Sequence, residues 1–516
     1  MLAGSAAIRL RLLDVPLDRD EGEYAYIASL LLDGVPPYAR AYNMKMPGIY
    51  AAYALVLAAF GRTTVGVHLG LLVITTLSTV LLFLVARRLH GAVVATCAAT
   101  VFATLALNPR LLGLATYAEP FVLPAVLAGV LVSLRAIESG RLTLFVVAGV
   151  LHGLAFVVKQ SGGLFALVAV FHVVYEARAR GVTARDLAAR LVALAGGGLV
   201  PAAMVGVWLA LAGSFANFWF WTVDYATAYG GLQTLPGAIF SFTSATGAFM
   251  PAAWPAVLLA LAGVVVLVFG DAWRSVRALH LAWLVTACAA ASLGFYFRSQ
   301  YFLLMLPPVS MLAALGATAA ADVLERDRAA RRGVVATVLV LFTVGWAVAS
   351  DRFIFFQATP AQVTRAIHDR NPFVEAVEVA RYIRERSSKD DRIAVIGSEP
   401  EIYFYAGRPA ATGYVYMYPL MESQPYAARM QQQLIRELTD ARPRYLVFVN
   451  IHASWLSTPA SDRTLVTWFD GYWRHFERVG IADIVSREVT KYRWDDAARG
   501  YTPESPLWVG VYRRLD

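Results

Sequence analysis

Residues 64–88 read "TVGVHLGLLVITTLSTVLLFLVARR": a long run without acid, lysine or arginine, closed by a pair of arginines. The hydrocarbon core of a bilayer is about 30 Å thick and asks for roughly 20 apolar residues in helix. A stretch of this length and composition therefore reads as a spanning helix, with its arginines at the membrane boundary. Working outward, the same pattern recurs to about residue 350, at 64–86, 91–107, 119–135, 142–158, 162–177, 191–212, 251–270, 279–297, 301–321 and 333–350. The whole chain is 58% hydrophobic and only 16% charged, with a mean hydropathy of +0.55, which sets it apart from ordinary soluble enzymes. The expected class is a polytopic α-helical membrane protein.

The net charge of +9 raises the question of nucleic acid. The arginines, however, fall in separate groups: Arg87/Arg88, Arg135/Arg141, Arg178/Arg180/Arg185/Arg190, Arg274/Arg277 and Arg326/Arg328/Arg331/Arg332. These occupy every second loop, the alternation of the positive-inside rule, whereas nucleic acid needs one contiguous basic surface. The arginine loops are therefore expected in the cytoplasm. Residues 14–63, 108–118, 159–163, 213–250, 298–300 and everything after 351 are then expected outside. Residues 1–13 are too short to span, so a first transmembrane helix is expected to be missing ahead of the opening loop. Cys97 and Cys288 lie within spans and read as small core residues.

From about residue 372 the composition turns mixed. "FVEAVEVARYIRERS" has helical periodicity, while "DRIAVIG", "RPRYLVFVN" and "LWVGVYRRL" read as strands. The expected division is a transmembrane catalytic domain at 1–350 and an extracytoplasmic α/β domain at 351–516. "VIGSEPEIYFYAG" lacks the glycine spacing of a dinucleotide site and reads as a structural turn.

The polar exceptions carry the chemistry. In "LDRDEGEYAYIASLLLDGVPPY", residues 17–38, Asp18, Asp20, Glu21 and Glu23 crowd the start of an expected helix. Asp20 with Glu23 has capping-box spacing, and Tyr24, Ile27 and Leu31 make one apolar face suited to lying along the membrane. A second interfacial helix is expected at 47–61. Capping uses one or two acids and leaves the others unexplained. Glu119, Lys159, Gln160, Arg298, Gln300, Tyr301 and Lys45 fall on the same face of the membrane, from separate segments. Snorkelling accounts for any single one of them, but not for their convergence. Phe215, Phe218, Trp219, Phe220, Trp221, Tyr225 and Tyr229 read as an aromatic interfacial belt in preference to a sugar-stacking platform. Acids beside cations at a membrane surface suit transfer of a group from a lipid phosphate. A carboxylate takes the acceptor's proton, and Lys or Arg holds the departing phosphate.

The stretch "RDEGEYAYIASLLLDGVPPY…MKMPGIYAAYALVLAAFG" resembles the first external loop of the GT-C membrane glycosyltransferases. The resemblance is to the bacterial branch related to protein O-mannosyltransferases and the lipid A aminoarabinose transferase. "YAEPFVLP", "FVVKQSGGLFAL", "RSQYFLLMLPPVSMLAALG" and "GSEPEIYFYAGRPAATGYVYMYPL" extend it. It implies inverting transfer of a sugar from a polyprenyl-phosphate donor to an acceptor hydroxyl of a glycan, lipid or protein, in a multi-pass plasma-membrane enzyme. Carried over, Asp20 is the base, Glu21 its partner and Glu119 the second acidic position. Lys45, Lys159, Arg298 and Tyr301 are donor-phosphate contacts. Gln300 departs from the histidine of the "HYF" version. No cofactor is demanded by the sequence, and a divalent metal at Asp20 and Glu21 stays open. A transporter or lipid-linked-sugar flippase is the alternative, as is an inactive relative that only binds the lipid-linked sugar.

Overall fold

The computed structural model describes residues 1–271, 274–325 and 329–516; Arg326, Arg328 and the side chain of Arg331, read above within a basic loop, lie outside these residues. Three helices precede the first long apolar one: α1 (Leu2–Arg11), α2 (Arg19–Leu32) and α3 (Pro47–Phe60). Helices then occupy all ten expected span positions. They begin with α4 (Thr64–His90), α5 (Ala92–Leu105), α6 (Ala118–Ser139), α7 (Leu142–Val158), α8 (Ala166–Ala179) and α9 (Ala184–Leu211). After two short helices, α10 (Phe215–Trp219) and α11 (Ala226–Gly230), follow α12 (Leu235–Phe269), α13 (Arg274–Ser292), α14 (Leu306–Leu324) and α15 (Ala329–Ser350). Eight segments among the described residues are long and apolar enough to cross a membrane, α8 doing so with its 3₁₀ lead-in. The other two, α5 and α7, have 14 and 17 residues. The chain is a multi-span membrane protein.

Backbone-on-backbone packing holds the bundle. A Cβ added to Gly149 would lie 2.0 Å from the Leu194 carbonyl oxygen, and one on Gly197 2.1 Å from that of Val146, so α7 and α9 cross through glycine. Gly263 and Gly316 do the same for α12 and α14, each at 1.9 Å from a facing carbonyl. Small residues at crossings are what lets helices associate where lipid is as apolar as leucine. Two expectations need revision here. Helix α12 begins sixteen residues earlier than the expected 251, because Thr234 caps it and Pro236 suits its first turn. Cys97 is a buried core residue, but Cys288 is exposed on the outer face of α13.

Beyond the bundle come α16 (Arg352–Phe356), α17 (Pro360–His368) and α18 (Phe373–Glu385). Strand β1 (Ile393–Ile396) leads through α19 (Glu401–Ala406), α20 (Tyr418–Met421) and α21 (Ala427–Ala441) to β2 (Tyr445–Asn450). Helices α22 (His452–Trp455) and α23 (Thr464–Tyr472) then precede β3 (Phe476–Ile484), β4 (Thr490–Trp494) and β5 (Trp508–Arg514). The sheet order is β1-β2-β5-β3-β4, with β1 and β2 parallel and the other pairs antiparallel. The three strands expected from sequence are β1, β2 and β5. Strand β4, TKYRW, is half-buried throughout, and its alternation of Lys491 and Arg493 with Tyr492 and Trp494 is a short strand signal absent from the expected set.

Helix α2 lies where bundle and sheet domain meet. Its Tyr24 and Ile27, expected along the membrane surface, are instead buried, in one hydrophobic cluster with Tyr50 and Tyr53 of α3 and with Ile402, Tyr403 and Tyr416. The other side of α2 approaches α19 so closely that a Cβ on Gly22 would sit 2.4 Å from the Glu401 Cβ.

Candidate active site

The acid run resolves residue by residue. Asp18, not Asp20, is the N-cap of α2: its side chain accepts from the Glu21 amide, and Glu21 Oε2 accepts in return from the Asp18 amide. Asp18 also accepts from the Tyr117 hydroxyl. Burial, then the neighbouring Glu21 and Asp20, push the Asp18 carboxyl up to about 8. Glu21 points away from Asp20's partners: its Oε1 accepts from the Thr116 amide at 2.6 Å and faces His68 Nε2 at 3.2 Å. Glu23, fully buried, accepts from the Tyr50 hydroxyl at 2.8 Å. Capping thus uses Asp18 and Glu21 and leaves Asp20 out.

Asp20 meets Lys45 and the sheet domain. Lys45 Nζ lies 3.0 Å from Asp20 Oδ2, and the Tyr416 hydroxyl donates to Oδ1 at 2.8 Å. Burial alone would raise the Asp20 pKa; the Lys45 ammonium and the Tyr416 hydroxyl outweigh it and hold the carboxyl below the usual carboxylate range. Asp20 is therefore ionised at neutral pH. Lys45 also donates to the Tyr24 hydroxyl at 3.2 Å.

Lys159 and Arg298 occupy equivalent places, each with extended backbone just before a 3₁₀ turn, Gln160–Phe165 and Ser299–Met305, that leads into α8 or α14. Lys159 Nζ pairs with the buried Glu119 at 2.5 Å and lies 4.2 Å from the centre of the Tyr301 ring. Arg298 lies over Tyr296 at 5.7 Å. Phe295 and Phe297, which flank Tyr296, have φ of 57° and 44°. Left-handed backbone at a bulky residue costs of order 1–3 kcal/mol and persists where neighbours impose it, here in the turn that displays Tyr296 and Arg298.

A cavity of 680 Å³ opens between the helix ends and the sheet domain, lined by Asp20, Lys45, Arg298 and Tyr301 among others. A second, of 270 Å³, is lined by Lys159 and shares Lys45 and Tyr301 with the first. Of the seven residues expected at the site, these five face the cavities, while Glu21 and Glu119 line neither and sit behind Asp18 and Lys159. Tyr225 and Tyr229, read as part of a membrane belt, line the larger cavity, whereas Phe215 and Trp219 of the same loop are exposed. Sequence reasoning missed Tyr416, Tyr418, Glu422, Tyr296 and His368, which also line it. The closely spaced tyrosines of "GYVYMYPL" are the signal that could have found Tyr416 and Tyr418.

A divalent ion at Asp20 and Glu21 would have to displace the partners these carboxylates hold. Both Asp20 oxygens are engaged by Lys45 and Tyr416, and both Glu21 oxygens by His68, Thr116 and Asp18. Among the described residues no group of three or more His, Cys, Asp or Glu is placed to hold a metal.

Residues 44–209 match the family dolichyl-phosphate-mannose-protein mannosyltransferase. A search of curated proteins finds no significant match. Among solved structures, the chain is similar to ArnT from Cupriavidus metallidurans bound to undecaprenyl phosphate. Identity is 17%, covering 87% of this chain and 92% of that one, with a TM-score of 0.60. It is also similar to the Archaeoglobus fulgidus oligosaccharyltransferase tethered with an acceptor peptide, at 13% identity, 96% and 74% coverage and a TM-score of 0.55. The complex of AglB from that organism with an inhibitory peptide and a dolichol-phosphate gives 13% identity, 96% and 74% coverage and a TM-score of 0.54. At these identities the likeness is one of fold, and the fold is GT-C.

Proposed function

We propose that this chain, with its GT-C fold and mannosyltransferase-family segment, is an inverting glycosyltransferase. It moves a sugar from a polyprenyl-phosphate donor to an acceptor hydroxyl at the extracytoplasmic membrane face. The observation that carries the reading is one pair of adjoining cavities bringing an ionised Asp20 together with Lys45, Lys159, Arg298 and Tyr301.

In this reading the donor phosphate lies among Lys45, Lys159, Arg298 and Tyr301, with its lipid tail in the bilayer. The acceptor oxygen attacks the anomeric carbon from the face opposite the phosphate. The bond from that carbon to the phosphate oxygen breaks, and the oxygen leaves with the electron pair. Asp20 takes the acceptor's proton, and the cations stabilise the charge left on the phosphate. Asp20 is a weak base, but an oxocarbenium-like transition state releases the acceptor proton late. Having the carboxylate ionised and aimed then matters more than its basicity. Lys45 links the two halves: when a phosphate draws it, its grip on Asp20 loosens and the carboxylate is freed for the acceptor. Glu21 and Asp18 are positioning residues that fix the start of α2, and Glu119 positions Lys159. A flippase would keep its ionisable groups along a path near the midplane. Here they gather at the helix ends beneath the sheet domain.

The test is transfer from a panel of polyprenyl-phosphate sugars by membranes holding wild type, Asp20→Asn or Asp18→Asn at matched expression. Asparagine still caps a helix, so Asp18→Asn should transfer within about tenfold of wild type. Asp20→Asn should lose about 10²–10⁴-fold, the worth of a general base. Unchanged transfer in Asp20→Asn sinks the assigned role.

A further inference from the structure

One stretch of the larger cavity wall has no task in the transfer just described. It is made by Tyr225, by Gln300 beside Arg298, and by Glu422 and Ser423 after α20. The Tyr225 hydroxyl donates to Glu422 Oε2 at 2.5 Å. Tyr225 is itself buried and packed edge-on against Trp221 at 5.1 Å, so this anchor is rigid. Glu422 Oε1, the Gln300 amide and the Ser423 hydroxyl have no hydrogen-bond partner among the described residues. They offer a carboxylate acceptor, a group that both donates and accepts, and a hydroxyl.

That set complements the alternating donors and acceptors of a sugar's hydroxyl groups. It does not complement a second phosphate, which the carboxylate repels, nor an isoprenoid tail, which would strand all three polar groups. A donor sugar is joined to its phosphate through a single oxygen. Wherever Arg298 and Tyr301 hold the phosphate, the ring must lie within a few ångströms, and Gln300 stands between those two residues in the chain.

We infer that Glu422, anchored by Tyr225, reads the sugar of the donor: its free oxygen accepts from ring hydroxyls, which restricts the donor to sugars without an acidic group. This rests on the glycosyl-transfer reading for the location of the phosphate. Neutral hexoses and pentoses fit, and an amino sugar fits through its ammonium group. A uronic acid places carboxylate against carboxylate, and like charges brought together select against the wrong partner.

The experiment measures binding and transfer separately, on the full chain in nanodiscs. Undecaprenyl phosphate, undecaprenyl-phosphate mannose and undecaprenyl-phosphate glucuronic acid compete for binding, read by native mass spectrometry. Wild type should prefer the mannosyl lipid to the glucuronosyl lipid by about tenfold, the scale of one charge-assisted hydrogen bond. Glu422→Gln, which keeps size and shape, should bring the two sugar lipids within about threefold of each other. Tyr225→Phe, which frees the carboxylate to turn, should fall between. Equal binding of the mannosyl and glucuronosyl lipids by wild type overturns the inference, as does full discrimination by Glu422→Gln. Discrimination in binding without transfer from any bound donor would refute the enzyme reading alone.

Discussion

Lys45→Met tests the coupling between the expected base and the expected phosphate contact. The Lys45 ammonium and the Asp20 carboxylate meet at 3.0 Å with side-chain exposures of 27% and 19%. Two unit charges about 4 Å apart at an effective dielectric of about 20 attract by about 4 kcal/mol. Solvent reaches both groups, and exposed pairs retain about 1 kcal/mol or less, so this part-buried pair should keep roughly 1–2 kcal/mol. That corresponds to about one pKa unit. In wild type the Asp20 pKa is depressed, so the pair adds stability above the unfolded carboxylate pKa, and that stability is lost as pH falls through the folded value. The rate should therefore be flat in Asp20 ionisation across neutral and mildly acidic pH. With methionine at 45, burial is opposed chiefly by Tyr416, and the acid limb of kcat/KM should move up by about one unit. Lys45→Arg, which keeps the charge, should leave the limb in place. The assay is sugar transfer in detergent micelles from pH 4 to 8, normalised to each variant's plateau. Coincident normalised profiles for wild type and Lys45→Met would refute the reasoning, even if the methionine enzyme were slower overall.

Three further outcomes follow from the same contacts. Lys159→Met leaves Glu119 buried without its partner, which should cost about 3–5 kcal/mol. The double variant Lys159→Met/Glu119→Gln should recover the melting temperature but not donor affinity; recovery of both would remove Lys159 from the phosphate site. Glu401 is fully buried with no hydrogen-bond partner for either side-chain oxygen, and burial together with Glu399 holds its pKa well above the ordinary value. A raised carboxyl pKa costs stability above the unfolded pKa, increasingly until the folded one is passed. Glu401→Gln should therefore melt a few degrees higher than wild type at pH 8 and equally at pH 5; an equal gain at both would contradict this. Gly22→Ala forces α2 and α19 apart, since its Cβ would meet Glu401 backbone and Cβ at 2.4–2.5 Å. The expected loss is about 1–3 kcal/mol, seen as a lower melting temperature and faster proteolysis within 351–516, and wild-type behaviour in both would show that the interface yields.

The spans were legible because length and apolarity alone define them. The first turns of α12 are hidden because "LPGAIFSFTSATGAF" mixes glycine, serine and threonine with its aromatics, which reads as loop. The cap of α2 is ambiguous in the sequence because Asp18–Glu21 and Asp20–Glu23 have identical spacing. What favours the first in the structure is distant, with Arg19 tied to Glu399 at 2.8 Å and Tyr117 bonded to Asp18. Lys45, Lys159 and Arg298 stood out as charges at the edges of apolar runs. Tyr416 and Glu422 did not, because a tyrosine or a glutamate in a mixed α/β segment carries no mark of the cavity it faces.

Strand β5 lies between β2 and β3, yet it is the last of the five in the chain. Until residues 508–514 emerge during synthesis, β1-β2 and β3-β4 remain two separate ribbons with open edges. Tyr416 and Glu422 lie in the connection between β1 and β2, and their contacts run to Asp20 of α2 and to Tyr225 of the bundle, so the walls they give the cavity belong to the first ribbon. The two ribbons are therefore joined by the segment made last, and the half of the sheet that faces the cavity is the half made first.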